Sequence, residues 1–125
     1  MATGLENLKI YMMSESLELR VHEVTKEFPR DELYRSVDQL RRSSSSSTNN
    51  IAEGYNRYSY QEKIHFFTIS KSEAEETKRN IIRSAKKEFL SMEVAEDIGS
   101  KYTQLIMGIS GYIRFLRGQK EKKKP

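Results

Sequence analysis

Residues 36–55 read SVDQLRRSSSSSTNNIAEGY, and whether they form a linker or a helix sets how many helices the chain contains. The five serines at 43–47 have the composition of a flexible connection. The run is short, however, and holds neither glycine nor proline. Val37, Leu40, Ser44, Ser47 or Thr48, Ile51 and Tyr55 also fall three or four apart, which keeps one helical face in register across it. A helix tolerates serine at some cost, because the hydroxyl can bond back to the carbonyl one turn earlier. Small side chains also let a neighbouring backbone come close. The stretch is therefore read as a helix starting at Val37. Ser36 and Gln39 have the spacing of a capping box, in which hydroxyl and amide satisfy each other's free backbone N–H groups.

The same periodicity continues on both sides. Upstream, Ile10, Met13, Leu17, Val21, Val24 and Phe28 mark a helix over residues 8–27, stopped by Pro29 and followed by one loose turn at 30–35. Downstream, Ser59-Tyr60-Gln61-Glu62 is a second capping box. Ile64, Phe67, Ser70 or Lys71, Ala74, Ile81 and Ala85 carry the third stripe to about residue 89. After Ser91, the positions Val94, Ile98, Tyr102, Leu105, Ile109, Tyr112 and Leu116 follow a repeat close to a heptad. No segment alternates with a period of two over a strand length. Short connections make successive helices antiparallel neighbours. The expected fold is all-α: an antiparallel up-down-up-down four-helix bundle over residues 1–117, with residues 118–125 a basic, disordered tail.

A chain of 125 residues with 36% apolar side chains builds one small core, which burial against further copies of itself would support. There is no cysteine, which excludes a disulfide framework and thiolate metal sites and suits a reducing compartment. The first eight residues lack the basic and apolar regions of a signal peptide. The longest apolar stretch, 105–116, contains Gly108, Gly111 and Arg114 and falls short of the roughly 20 residues of a membrane span. A cytoplasmic protein is expected. The net charge of +4 is unevenly placed, with −2 over residues 1–100 and +6 over 101–125. A basic end of this kind is drawn to polyanions, or serves only as a solubilising terminus.

The second helix and its flanks resemble a known family. Gln39-Leu40-Arg41-Arg42, then Asn50-Ile51-Ala52-Glu53-Gly54 and Arg57, is similar to the signature of the four-helix bundle proteins named after the intervening sequences of 23S ribosomal RNA genes. Phe28-Pro29, Phe66-Phe67, Ser72 with Glu75, and Leu8-Lys9-Ile10-Tyr11 fit the same pattern. The resemblance implies four antiparallel helices and assembly into a ring-shaped homo-oligomer, commonly a pentamer. One branch of the family is the accessory protein of diversity-generating retroelements, which binds nucleic acid and the element's reverse transcriptase. The chain departs from the family at the serine run, usually alanine-rich, at Lys71, usually small, and at Lys87-Glu88, where Leu-Gly often stands.

No motif points to catalysis. His22 and His65 stand in no catalytic pattern, no serine sits in a nucleophile elbow, and the glycines form no phosphate loop. No cofactor motif and no paired metal ligands are present. Two clusters carry the functional reading instead. Arg41, Arg42, Asn50, Glu53, Ser72 and Glu75 suit either a ligand site or a polar network that fixes helix register or the subunit interface, and the network is preferred because such residues in a bundle must satisfy one another. Lys78, Arg79, Arg83, Lys86 and Lys87 form a basic stripe on the third helix, extended by Arg114, Arg117, Lys120 and the lysines at 122–124. Tyr55, Arg57, Tyr58 and Tyr60 gather at the corner between helices two and three, where rings can stack on bases. The stripe is either an anion-binding face or a solvated one partly neutralised by Glu75 and Glu76. The expectation is a non-enzymatic, nucleic-acid-binding homo-oligomer, with a reverse transcriptase as a further candidate partner. The alternative is a protein-interaction ring that does not touch nucleic acid.

Overall fold

The computed structural model describes residues 4–123. A 3-10 turn, Leu5–Asn7, leads into α1 (Lys9–Thr25). A second 3-10 turn, Arg30–Glu32, runs into a π-helical turn, Leu33–Val37, and from there without a break into α2 (Asp38–Tyr55). Then come α3 (Tyr60–Lys86) and α4 (Met92–Lys122). Among the described residues the fold is all-α, with four helices and no strand. Each helix packs on its neighbours in the cyclic order α1, α2, α3, α4 and back to α1. None is long and apolar enough to cross a membrane.

Most positions marked by the three–four repeat form the core; Met13, Val24, Tyr55, Ile64, Val94 and Tyr112 pack against it partly buried, and Ile113 rather than Tyr112 is buried near the end of α4. Ile10, Leu17 and Val21 meet Leu40 and Ile51, Phe67, Ala74 and Ile81, and the α4 ladder of Ile98, Tyr102, Leu105, Ile109 and Leu116. Between Ser70 and Lys71, Ser70 takes the core position. Burying an aliphatic side chain of this size contributes about 1.5–3 kcal/mol, so these few positions hold the fold.

The serine run is helical throughout, and it builds a hydroxyl seam rather than a gap. Ser43, Ser44, Ser47 and Thr48 are all buried. Ser43 bonds the Thr77 hydroxyl at 2.6 Å, and Thr48 bonds Ser14 at 2.8 Å. Ser47 donates to the Ser70 carbonyl at 3.0 Å while Ser70 donates to the Ser47 carbonyl at 2.7 Å. Each bond offsets the cost of taking its hydroxyls out of water and contributes roughly 1 kcal/mol net. Slipping a helix by one turn would leave several of them buried and unpaired, so the seam fixes register as well as holding helices together.

Glycine makes two of the close approaches possible. A Cβ at Gly54 would lie 3.1 Å from the Phe66 Cβ and the Phe67 ring, where α2 meets α3. A Cβ at Gly108 would lie 2.9 Å from the Ile10 Cγ2, where α4 meets α1.

Three boundaries differ from the sequence reading. Ser36 caps nothing: its backbone and that of Val37 are already helical, and its hydroxyl donates to Glu32 Oε1 at 2.7 Å instead. The helix needs no fresh start there because the turn after Pro29 feeds directly into it. By contrast, the cap at Ser59 forms as read, accepting from the Glu62 N–H at 3.1 Å. α3 ends at Lys86, short of residue 89, in a turn where the Phe89 N–H reaches the Ser84 carbonyl at 3.0 Å. That closure requires a left-handed residue, and Glu88 supplies it at φ 68° where glycine is usual. Finally, residues 118–122, read as disordered tail, continue α4 as helix, while Lys124 lies outside the described residues.

Candidate nucleic-acid interface

The basic residues fall into two patches. On the C-terminal half of α3, Lys78, Arg79, Arg83 and Lys86 edge a groove of about 710 Å³ shared with Thr103, Ile106 and Met107 of α4. Lys78 is tied down, its Nζ donating to Thr103 Oγ1 at 2.7 Å, and Arg83 bonds Asn80 Oδ1 at 2.9 Å. Glu75 is the single acid of the lining. Lys87 turns away from this groove, toward Ser36 and Gln39 on the α2 side.

The second patch lies where α4 ends beside the start of α3. Arg117 and Lys120 flank Gln61 and Ile64, with the acid Glu121 in the same cleft. Lys120 and Lys123 flank Tyr58, Ser59 and Tyr60. Along α3 the two patches stand about 25 Å apart, at 1.5 Å per residue between the positions near 61 and near 78. The set Lys78, Arg79, Arg83, Lys86, Lys87, Arg114, Arg117 and Lys120 is therefore not one continuous surface of a single chain. Arg114 sits exposed on α4 between the patches.

Local chemistry sorts the corner residues into structural and free. Lys63 donates to the Tyr55 carbonyl at 2.8 Å and so closes the last turn of α2; partial burial lowers its pKa. Arg57 bonds Glu53 Oε2 at 2.6 Å and lies 4.7 Å over the Phe66 ring. Both cations are engaged in holding the corner together. Tyr60 is half-buried beneath the Lys123 ammonium, 5.4 Å from its ring, whereas Tyr58 is 101% exposed. The corner thus presents an open aromatic ring among long lysine side chains, with Glu62 engaged by the Ser59 cap.

The six residues expected as one polar network are dispersed within the chain. Arg41 donates to Thr25 Oγ1 at 3.0 Å and the His22 carbonyl at 3.3 Å, which caps the C-terminal turn of α1. Arg42 pairs with Asp38 on its own helix. Asn50 bonds the Ser46 carbonyl, Glu53 bonds Arg57, Ser72 is exposed, and Glu75 edges the groove. The polar groups that pair across helices are those of the hydroxyl seam, whose Ser14 and Thr77 a purely apolar reading misses. The spacings Ile10, Ser14, Leu17 on α1 and Ala74, Thr77, Ile81 on α3 mark them, once hydroxyls are admitted to the core stripe. His22 and His65 are both exposed. Among the described residues, no group of three or more His, Asp or Glu could hold a metal ion.

Comparison with known proteins agrees with this architecture. No curated protein matches the chain. A solved structure, described as a protein of unknown function from the S23 ribosomal protein family of Bacteroides thetaiotaomicron VPI-5482, superposes with a TM-score of 0.75. It is 20% identical, and the match covers 83% of this chain and 97% of that one, which shows a shared fold. The family model described as 23S rRNA-intervening sequence protein matches residues 6–111, which include the hydroxyl seam, the α3 groove and the α2–α3 turn but not Arg117, Lys120 and Lys123. The chain therefore belongs to the 23S rRNA-intervening sequence protein family.

Proposed function

We propose that the protein is a non-enzymatic, nucleic-acid-binding homo-oligomer, built from antiparallel up-down-up-down bundles set side by side in a ring. The antiparallel arrangement is supported by the cross-helix bonds, which pair Ser14 with Thr48 but Thr25 with Arg41, and Ser43 with Thr77 but Ser47 with Ser70. The observation that carries the binding function is the α2–α3 corner: Tyr58 stands fully exposed with Lys120 and Lys123 beside it, and Arg117 lies in the neighbouring cleft. Bases stack on the ring while the lysines neutralise phosphates, so single-stranded RNA is the first probe. Bundles packed side by side leave their ends free, which repeats the corner around one rim and multiplies a modest patch.

Fluorescence anisotropy of a labelled single-stranded RNA across a salt series tests this. Binding weakens steeply with salt, and neutralising Lys120 and Lys123 flattens the log–log slope by about 0.7 for each phosphate that no longer faces a cation. Tyr58→Ala lowers affinity about tenfold, in line with a stacking loss of ~1–3 kcal/mol, without changing the slope. An intact oligomer with no affinity at low salt would remove nucleic acid from the function and leave a protein-interaction ring.

A further inference from the structure

The α3–α4 groove has a composition that nucleic-acid binding does not explain. Its walls carry Ile82, Ile106 and Met107, the last 67% exposed, beneath the cations of Arg79 and Lys86. An apolar centre inside a charged rim is the anatomy of a protein interface. The outer face of α1 has the matching composition with the opposite sign. Met12 and Leu19 are 54% and 61% exposed, and Glu15 and Glu23 flank them. They lie two turns apart, about 10 Å along the helix. Of the cations here, Lys9 stands exposed one turn before Met12, Arg20 is bonded sideways to Asp97 of α4, and Lys26 pairs with Glu23 at 2.7 Å, an exposed pair that a cation of the groove rim exchanges with on docking.

We infer that the α3–α4 groove receives the outer face of α1 from a second copy of this chain, Met12 and Leu19 covering Ile82, Ile106 and Met107 while Glu15 and Glu23 face Arg79 and Lys86. The inference rests on the proposed assembly and names the surfaces that make it. The two surfaces differ, so the contact is heterologous: each chain offers one of each, and repetition closes a ring or runs on as a filament. It also divides the basic residues by role. Those on α3 hold copies together, and those at the α2–α3 corner remain free for RNA.

Charge exchange tests the pairing. One variant carries Glu15→Lys with Glu23→Lys, the other Arg79→Glu with Lys86→Glu; all four side chains are exposed, and circular dichroism checks the fold. Light scattering at micromolar concentration is expected to find each variant at the mass of a single chain. A chain carrying all four changes is expected to regain the wild-type mass, which a misfolded variant cannot do, and an equimolar mixture of the two variants to associate above the mass of a single chain; because the two can only alternate, the mixture reaches the wild-type mass only where the ring has an even number of subunits. Wild-type mass in both separate variants overturns the inference while leaving the assembly in place, and so does loss of assembly that neither mixing nor combination restores. A wild-type chain that is monomeric overturns the assembly and this interface together. RNA binding is read on the same samples: the corner is remote from all four changes, so its failure in the wild-type chain sinks the binding function and not the interface.

Discussion

Tyr102 is the largest fully buried side chain of the core, and its hydroxyl has no hydrogen-bond partner among the described residues. Burial drives its ionisation above the usual tyrosine value of 10.0, and the charge of Glu18 adds to the effect. Tyr102→Phe keeps the ring and removes the unpaired hydroxyl, so it is expected to raise unfolding free energy by about 1 kcal/mol at neutral pH. The pH dependence has a definite sign. The folded protein retains the phenolic proton after the unfolded chain has lost it, so this contribution is complete below pH 10.0 and falls away as pH rises beyond it. Urea titrations of both proteins at neutral pH and under alkaline conditions should show wild-type stability falling more steeply. Tyr102 was legible as a core position from its repeat; that its hydroxyl finds no partner was not, because periodicity reports a face and not the atoms opposite it.

Helices met the same limit. All four follow from apolar spacing, and the helical reading of the serine run was sound because Leu40 and Ile51 keep register across it. The partners of those serines lie on other helices at separations that no local pattern encodes. The Ser36 cap failed for a related reason: a capping motif marks a helix start only if the preceding backbone is extended, and here it is already helical. The corner's basic and aromatic residues were legible by type, but their division from the α3 groove depends on which ends of the helices meet. The seam itself makes a prediction at this scale. Ser43→Ala leaves the buried Thr77 hydroxyl with only its bond to the Glu73 carbonyl, and Thr77→Val leaves Ser43 with only its long bond, 3.4 Å, to the Leu40 carbonyl. Each single change is expected to cost about 1–2 kcal/mol, and the double variant less than their sum, with a coupling of at least ~0.5 kcal/mol. Additive denaturation midpoints would mean the two hydroxyls do not act as a pair.

Closure of the whole bundle depends on α1 meeting α4, and that edge carries an ion pair from Arg20 to Asp97, joined by Lys101 at 3.3 Å. The hydrogen bonds from Arg20 and then Lys101 hold the Asp97 carboxyl below its usual value of 3.8. A lowered folded value means stability that is present above the unfolded range and lost as pH falls through the folded one. Asp97→Asn is therefore expected to be less stable than wild type near neutrality, with the gap closing on acidification toward and below pH 3.8. Thermal melts of both chains over that range check it, and a gap constant with pH would assign the loss to something other than charge.

The hydroxyl seam also governs how stability responds to temperature. Unfolding raises heat capacity in proportion to the apolar surface released to water, and polar surface lowers it. This bundle puts Ser43, Ser44, Ser47, Thr48, Ser70 and Thr77 where a bundle of similar length would bury aliphatic carbon. Its heat-capacity increment per residue should fall below the usual ~12–15 cal/mol/K, which flattens the stability curve and moves cold denaturation further from the working range. A core joined by hydroxyls gives up some maximum stability and holds what it has across a wider span of temperature.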